Sequence, residues 1–258
     1  VEVLTSYNTV RYYRNQFFKD GLKWKWFWPI HESCASPDEK SLEILEDACV
    51  VPTYEGSRAT QSNIYHKDAL VLEKWLLDNP KDSRGWFYLA QSYKDAGLLE
   101  KAIDPLLTCL KCSEWREERY FAHLRLARYK LEAGKPFEEV ISHYWDAYET
   151  KPDRAEGLHD MLSYYRQKNK FNSGIVIGEL ALDISYPNKD RLFIQEDVYS
   201  WKIKDDLSVC YYWVGRYQDS INLLKDILNN PEVRLSVESL ERIKNNLKFS
   251  EDKLNEGV

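Results

Sequence analysis

Residues 82–102 read DSRGWFYLAQSYKDAGLLEKA. Trp86, Leu89 and Tyr93 stand at i, i+3 and i+7, so a helix would carry them on one face. Ala90 lies next to that face and is small enough for a second helix to approach closely. Gly97 suits the left-handed residue that ends a helix, because it has no side chain to clash there. Ala102 supplies a second small contact on the returning helix. The spacing therefore predicts a helix–turn–helix hairpin; a strand would alternate with period 2.

The pattern recurs with decay. Residues 118–151 offer Leu126, Ala127, Gly134 and Ala147, closed by Pro152. Residues 155–186 offer Leu158, Met161, Tyr165, Phe171, Gly174 and Ala181, closed by Pro187; Asn169 takes the turn position, and Asn tolerates the left-handed conformation next best after Gly. Residues 205–230 offer Leu207, Tyr211, Gly215, Tyr217 and Leu224, closed by Pro231. The turn positions 97, 134, 169 and 215 are 37, 35 and 46 residues apart. These runs resemble the tetratricopeptide repeat, W-x2-L-[GA]-x2-Y then Gly then Ala, whose period is about 34 residues. The long third gap predicts an inserted loop over 189–202. Residues 63–79, ended by Pro80, predict an opening helix, and residues 236–249 a closing one with Ser236 as its N-cap. The predicted fold is mainly α, a tetratricopeptide-like α-solenoid over 63–258 preceded by a small β-containing segment over 1–62; the alternative is a helical bundle without repeats.

Composition narrows the function classes. The 258 residues carry 36 basic and 42 acidic side chains, net −6, which gives no general pull toward nucleic acid or anionic membrane. No apolar run approaches the roughly 20 residues of a membrane span. The five cysteines are odd in number and scattered, which suits a reducing compartment, and a cytoplasmic location is expected. The chain opens on Val1 and its only methionine is Met161, so a longer parent protein is expected.

Residues 1–62 have a different texture. Residues 1–3, 11–18 and 42–51 read as strands, with a hairpin turn at Lys19-Asp20-Gly21. Residues 22–30 (LKWKWFWPI) alternate Lys23 and Lys25 with Trp24 and Trp26, the period of a strand with one buried face. The join to the helical region is expected at 53–63. Edge strands without neighbours would expose the Trp face, so this segment is expected either to be marginally ordered or to dock onto the repeats or a second chain.

Several runs also resemble the C-terminal part of family 2 glycosyltransferases: FFKDGLKWKWFWPIHE (17–32), WFYLAQSYKDAG (86–97), KPDRAEGLHDMLSYYR (151–166) and DDLSVCYYWVGRY (205–217). The resemblance implies that residues 1–62 close a GT-A catalytic domain that uses a divalent metal (Mn or Mg) to hold a sugar nucleotide. It assigns His31 to the metal and its motif neighbour Glu32 to the catalytic group. The chain contains no Asp-x-Asp pair, so it is expected to be inactive alone. The repeats would then bind a protein or glycan acceptor, and the first segment would pair with a missing N-terminal catalytic domain or another chain. The competing reading is a stand-alone adaptor that binds proteins and does no chemistry.

Other candidates follow from helix position. Arg84, Phe87, Gln91 and Lys94 fall opposite Leu89 and Tyr93 and are expected to line a partner groove. Removing Arg84 and Lys94 together is expected to weaken an acidic partner and spare the fold. Tyr120, Tyr164, Tyr165, Tyr211, Tyr212 and Trp213 either line such a groove or fill the repeat core. Cys109-x2-Cys112 has no second pair at zinc-site spacing and reads as two incidental helix cysteines. His66, His123, His143 and His159 lack a His or Cys one turn away and read as surface or interfacial residues.

Overall fold

The structure, a computed structural model, describes residues 2–7, 10–38, 43–51 and 63–256. Of the expected join at 53–63, residues 53–62 lie outside the described residues. The chain divides into two compact units, Val1–Lys151 with Lys189–Ile194, and Pro152–Asn188 with Gln195–Val258.

In the first unit, β1 (Glu2–Tyr7) pairs antiparallel with β2 (Val10–Asn15) and parallel with β5 (Ile44–Val50). A separate ladder joins β3 (Lys25–Phe27) to β4 (Ser33–Ala35). Asp20–Gly21 does turn, with Gly21 at φ 79°, but no hairpin follows, because β2 and β3 belong to different sheets. The alternating tryptophans do not form a buried strand face either: β3 is three residues long and Trp26 is 66% exposed. Trp24 and Trp28 are instead held by their indole N–H groups, Trp24 Nε1 donating to Lys19 O at 2.8 Å and Trp28 Nε1 to Asp82 Oδ1 at 3.3 Å. Such polar tethers follow no period and leave the rings half wet.

The helices of this unit are α1 (Ile64–Asp78), α2 (Ser83–Asp95), α3 (Ile103–Cys112), α4 (Arg116–Glu132) and α5 (Phe137–Thr150). A 3-10 turn, Leu99–Ala102, leads into α3. The hairpins α2/α3 and α4/α5 are those predicted from residues 82–102 and 118–151. The second unit contains α6 (Glu156–Gln167), α7 (Phe171–Leu182), a π-helical turn at Val198–Lys202, α8 (Ile203–Trp213), α9 (Tyr217–Asn229) and α10 (Val237–Glu256). Ser236 caps α10 as expected, its Oγ accepting from Ser239 N at 3.1 Å. The helix packs Ile243 onto Leu224 and Ile227 of α9, closing the apolar end of that unit.

All four predicted turn residues are left-handed: Gly97 at 77°, Gly134 at 79°, Asn169 at 56° and Gly215 at 80°. Each turn closes with the same backbone bond, from the N–H after the turn residue to the carbonyl five back: Leu98 to Tyr93, Lys135 to Lys130, Lys170 to Tyr165 and Arg216 to Tyr211. A β-carbon at 97, 134 or 215 would meet nothing within 4 Å. The demand there is conformational, not steric. Gly97→Ala is accordingly expected to cost about 1–2 kcal/mol in urea unfolding, and Gly97→Asn clearly less. Equal losses for the two variants would count against this explanation.

Small residues stand where helices cross. Ala90, Ala102, Ala127, Ala147 and Ala181 are fully buried. A β-carbon at Gly178 of α7 would come within 2.8 Å of Leu207 Cδ1. Tyr120, expected either in a groove or in the core, belongs to the core.

Candidate functional site: the α2–α4 face

The helical period of α2 brings Arg84, Phe87, Tyr88, Gln91 and Lys94 to one side, and that of α4 brings Glu117, Phe121 and Arg125 beside them. Arg125 links the two helices: Nη2 donates to Gln91 Oε1 at 3.1 Å, and the guanidinium lies 4.1 Å from the Phe87 ring centroid. Burial pulls the Arg125 pKa down, while Tyr129, Tyr88 and Asp95 pull it back up. Its Nη1 is buried and has no hydrogen-bond acceptor among the described residues.

Two stretches of the same unit cover this face. Residues 28–31 sit over the start of α2. The Arg84 guanidinium lies between the Trp28 and Tyr88 rings, 4.6 and 4.9 Å from their centroids, and Nη2 donates to His31 O at 2.8 Å. The His31 ring stacks on Tyr88 with centroids 3.9 Å apart. Asp82 holds the approach together, its carboxylate accepting from the indole N–H of both Trp28 and Trp75. The second stretch is residues 189–194. Asp190 pairs with Lys151 at 3.0 Å. The backbone N–H groups of Arg191 and Leu192 both donate to Glu117 Oε2 at 2.8 Å. Phe193 sets its ring parallel to Phe87 at 6.4 Å and edge-on to Phe121 at 5.4 Å, with the Arg125 guanidinium 5.3 Å from its centroid. The components of this face are hydrogen-bond donors, acceptors and aromatic ring faces.

The expected site residues are thus placed as follows. Arg84 is enclosed by Trp28, His31 and Tyr88. Phe87 is 1% exposed, Gln91 is bound to Arg125, and Lys94 is half-buried near the end of α2. His31 is exposed in a left-handed conformation, φ 53°, with exposed Glu32 after it. Removing Arg84 would therefore also release residues 28–31, which makes it a poor probe of binding alone. Glu117, Phe121, Arg125 and Phe193 were not anticipated. The one signal for them was the apolar run Leu192-Phe193-Ile194 inside an expected surface insertion.

A second cluster lies between α4 and α5. Nδ1 of His123 and Nδ1 of His143 stand 3.8 and 3.9 Å from Asp146 Oδ2. Three such ligands could in principle hold a cation. Lys130 Nζ, however, lies 2.8 Å from His143 Nε2. An ammonium there donates to Nε2 and assigns the ring proton to Nδ1, the atom a metal would need bare. Cys109 and Cys112 are both free, and burial pushes the Cys109 thiol up, the opposite of what a reactive or ligating thiolate requires.

Hairpins of this spacing, with left-handed turns and small residues at the crossings, define a tetratricopeptide-like helical-repeat fold. Solved structures of this kind are similar to the chain. A crystal structure of MamA superposes with TM-score 0.51 at 15% identity, covering 75% of this chain and 99% of that one. Another MamA structure gives TM-score 0.50 at 15% identity over 67% of this chain and 88% of that one. The structure of YrrB, described as a TPR protein with an unusual peptide-binding site, gives 0.47 at 9% identity over 75% and 84%. A scan of protein-family models finds no match, and neither does a search of the curated proteins. No GT-A glycosyltransferase is among the similar structures, which corrects the glycosyltransferase resemblance. Its physical basis was the shared repeat pattern together with the tryptophan segment, and that segment docks on α2 instead of closing a nucleotide-binding sheet.

Proposed function

We propose that the chain is an interaction module that binds partner proteins through the α2–α4 face and does no chemistry itself. One observation carries the reading. A non-helical stretch of polypeptide, residues 189–194, already lies on that face, held by backbone N–H groups on a carboxylate and by one aromatic ring in a pocket of aromatic and cationic groups. A surface that holds a non-helical segment of its own chain this way suits a short segment of another protein. No helix among the described residues is long and apolar enough to cross a membrane. The five unpaired cysteines fit a reducing compartment, which we read as the cytoplasm.

The test is selection of peptide binders from a display library against the full chain. Affinity of the selected peptides is expected to fall about tenfold, or 1.4 kcal/mol, in a Gln91→Ala/Lys94→Glu variant, measured at a temperature where the variant, weakened by the loss of the Arg125 acceptor, is still fully folded. Binders indifferent to both substitutions would move the site off this face.

A further inference from the structure

We propose that residues 189–194 are a built-in stand-in for the partner, and that the partner they imitate is a short peptide presenting an aromatic side chain with a carboxylate next to it. The inference rests on the reading of the α2–α4 face as the binding surface and names what that surface selects.

The stand-in uses three kinds of contact in sequence: the ion pair of Asp190 with Lys151, the two backbone N–H groups on Glu117, and the Phe193 ring between Phe87, Phe121 and Arg125. Two features show that its fit is incomplete. Phe193 is held at φ 45°, a left-handed conformation unfavourable for a side chain of its size. Arg125 keeps Nη1 buried and, among the described residues, without an acceptor although the aromatic pocket beside it is filled. A carboxylate adjacent to the inserted ring would answer that donor with a charge-assisted bond, and a separate peptide has no need to turn left-handed at its aromatic residue. An external peptide that reproduces the contacts and adds the carboxylate therefore outcompetes the internal segment, which keeps the face covered until such a partner arrives.

Three fluorescein-labelled peptides test this by anisotropy against the full chain: KDRLFI, copied from residues 189–194, KDRLFD, and KDRLAI. Phe193→Ala, which vacates the pocket, is expected to bind KDRLFI at least tenfold more tightly than the parent chain. KDRLFD is expected to bind more tightly again, with that extra gain lost in Arg125→Met, and KDRLAI is expected not to bind. Equal affinity of Phe193→Ala and the parent for KDRLFI overturns the proposal. A second measurement needs no substitution: amide exchange at Arg191 and Leu192 in the parent chain is expected to accelerate when KDRLFD is added to saturation. Unchanged exchange with peptide bound places the peptide elsewhere and also overturns the proposal. If display-selected binders respond to Gln91→Ala/Lys94→Glu yet ignore Phe193→Ala, the binding reading stands and the stand-in falls. If no binder responds to either variant, both fall.

Discussion

Arg154→Leu is expected to destabilise the second unit by about 3–5 kcal/mol, the cost of leaving a buried carboxylate without its cation. Arg154 is 1% exposed and Glu156 is fully buried. The guanidinium meets the carboxylate through Nη2 at 2.6 Å and Nε at 3.0 Å, so the pair is bidentate. Tyr199 Oη donates to Glu156 Oε2 at 2.9 Å and accepts from Ala155 N at 3.1 Å, and Gln195 N adds a longer bond to Oε1 at 3.3 Å. Burial alone would push the Glu156 carboxyl up. The hydrogen bond and charge of Arg154, with help from Tyr199, outweigh it and hold the group below the usual carboxylate range. Taking away Arg154 leaves the burial penalty in place and removes two of these four donors, the only charged ones among them. Urea unfolding measures the loss. Arg154→Leu/Glu156→Leu should recover part of it, because two apolar side chains avoid the stranded charge, though Tyr199 and Gln195 then lose their acceptor. A loss under 1 kcal/mol for Arg154→Leu would mean that water reaches Glu156.

The first unit should weaken as the solution is acidified through the histidine range. Burial lowers the His123 pKa from its ordinary 6.5 to about 4; Asp146 opposes the shift, while His143 and Arg119 add to it. The unfolded chain takes up this proton below about 6.5, the folded chain only below about 4. The stabilising difference is therefore complete above pH 6.5, lost progressively between 6.5 and 4, and gone below that. A shift of this size corresponds to about 3 kcal/mol, little discounted because the His123 side chain is only 14% exposed. His143 is displaced in the same direction, by burial and then by Lys130, and adds to the same trend. His123→Leu isolates the effect. His123 Nδ1 has no hydrogen-bond partner among the described residues, so the variant should hold its stability better than the parent between pH 6.5 and 4. Parallel stability–pH curves for parent and variant would refute the assignment.

Both effects arise from residues whose sequence context is unremarked. His123 and His143 have no His or Cys one turn away on their own helices; they meet because α4 and α5 pack against each other. Arg154 and Glu156 are two residues apart at the start of the hairpin read over 155–186, and nothing in that pattern pointed to Tyr199, more than forty residues on, whose hydroxyl donates to the buried carboxylate. The α2–α4 face was half legible. The period of α2 placed Arg84, Phe87, Gln91 and Lys94 together, but nothing periodic pointed to Glu117 or Phe193. In residues 22–30 a true period of 2 misled, since the alternation of Lys and Trp there serves indole hydrogen bonds to Lys19 O and Asp82 and not burial in a sheet.

What the amino-acid order determined by itself is the set of helical hairpins: the face of each helix, the left-handed turns at 97, 134, 169 and 215, and the small side chains at the crossings. Those features depend on backbone preference and on neighbours within one or two turns, so a local pattern is enough to specify them. Tertiary structure alone decided that residues 189–194 lie on Phe87, Glu117 and Phe121, and that residues 28–31 enclose Arg84. Contacts spanning more than fifty residues carry no period, and they form only after the helices have assembled the surface that receives them.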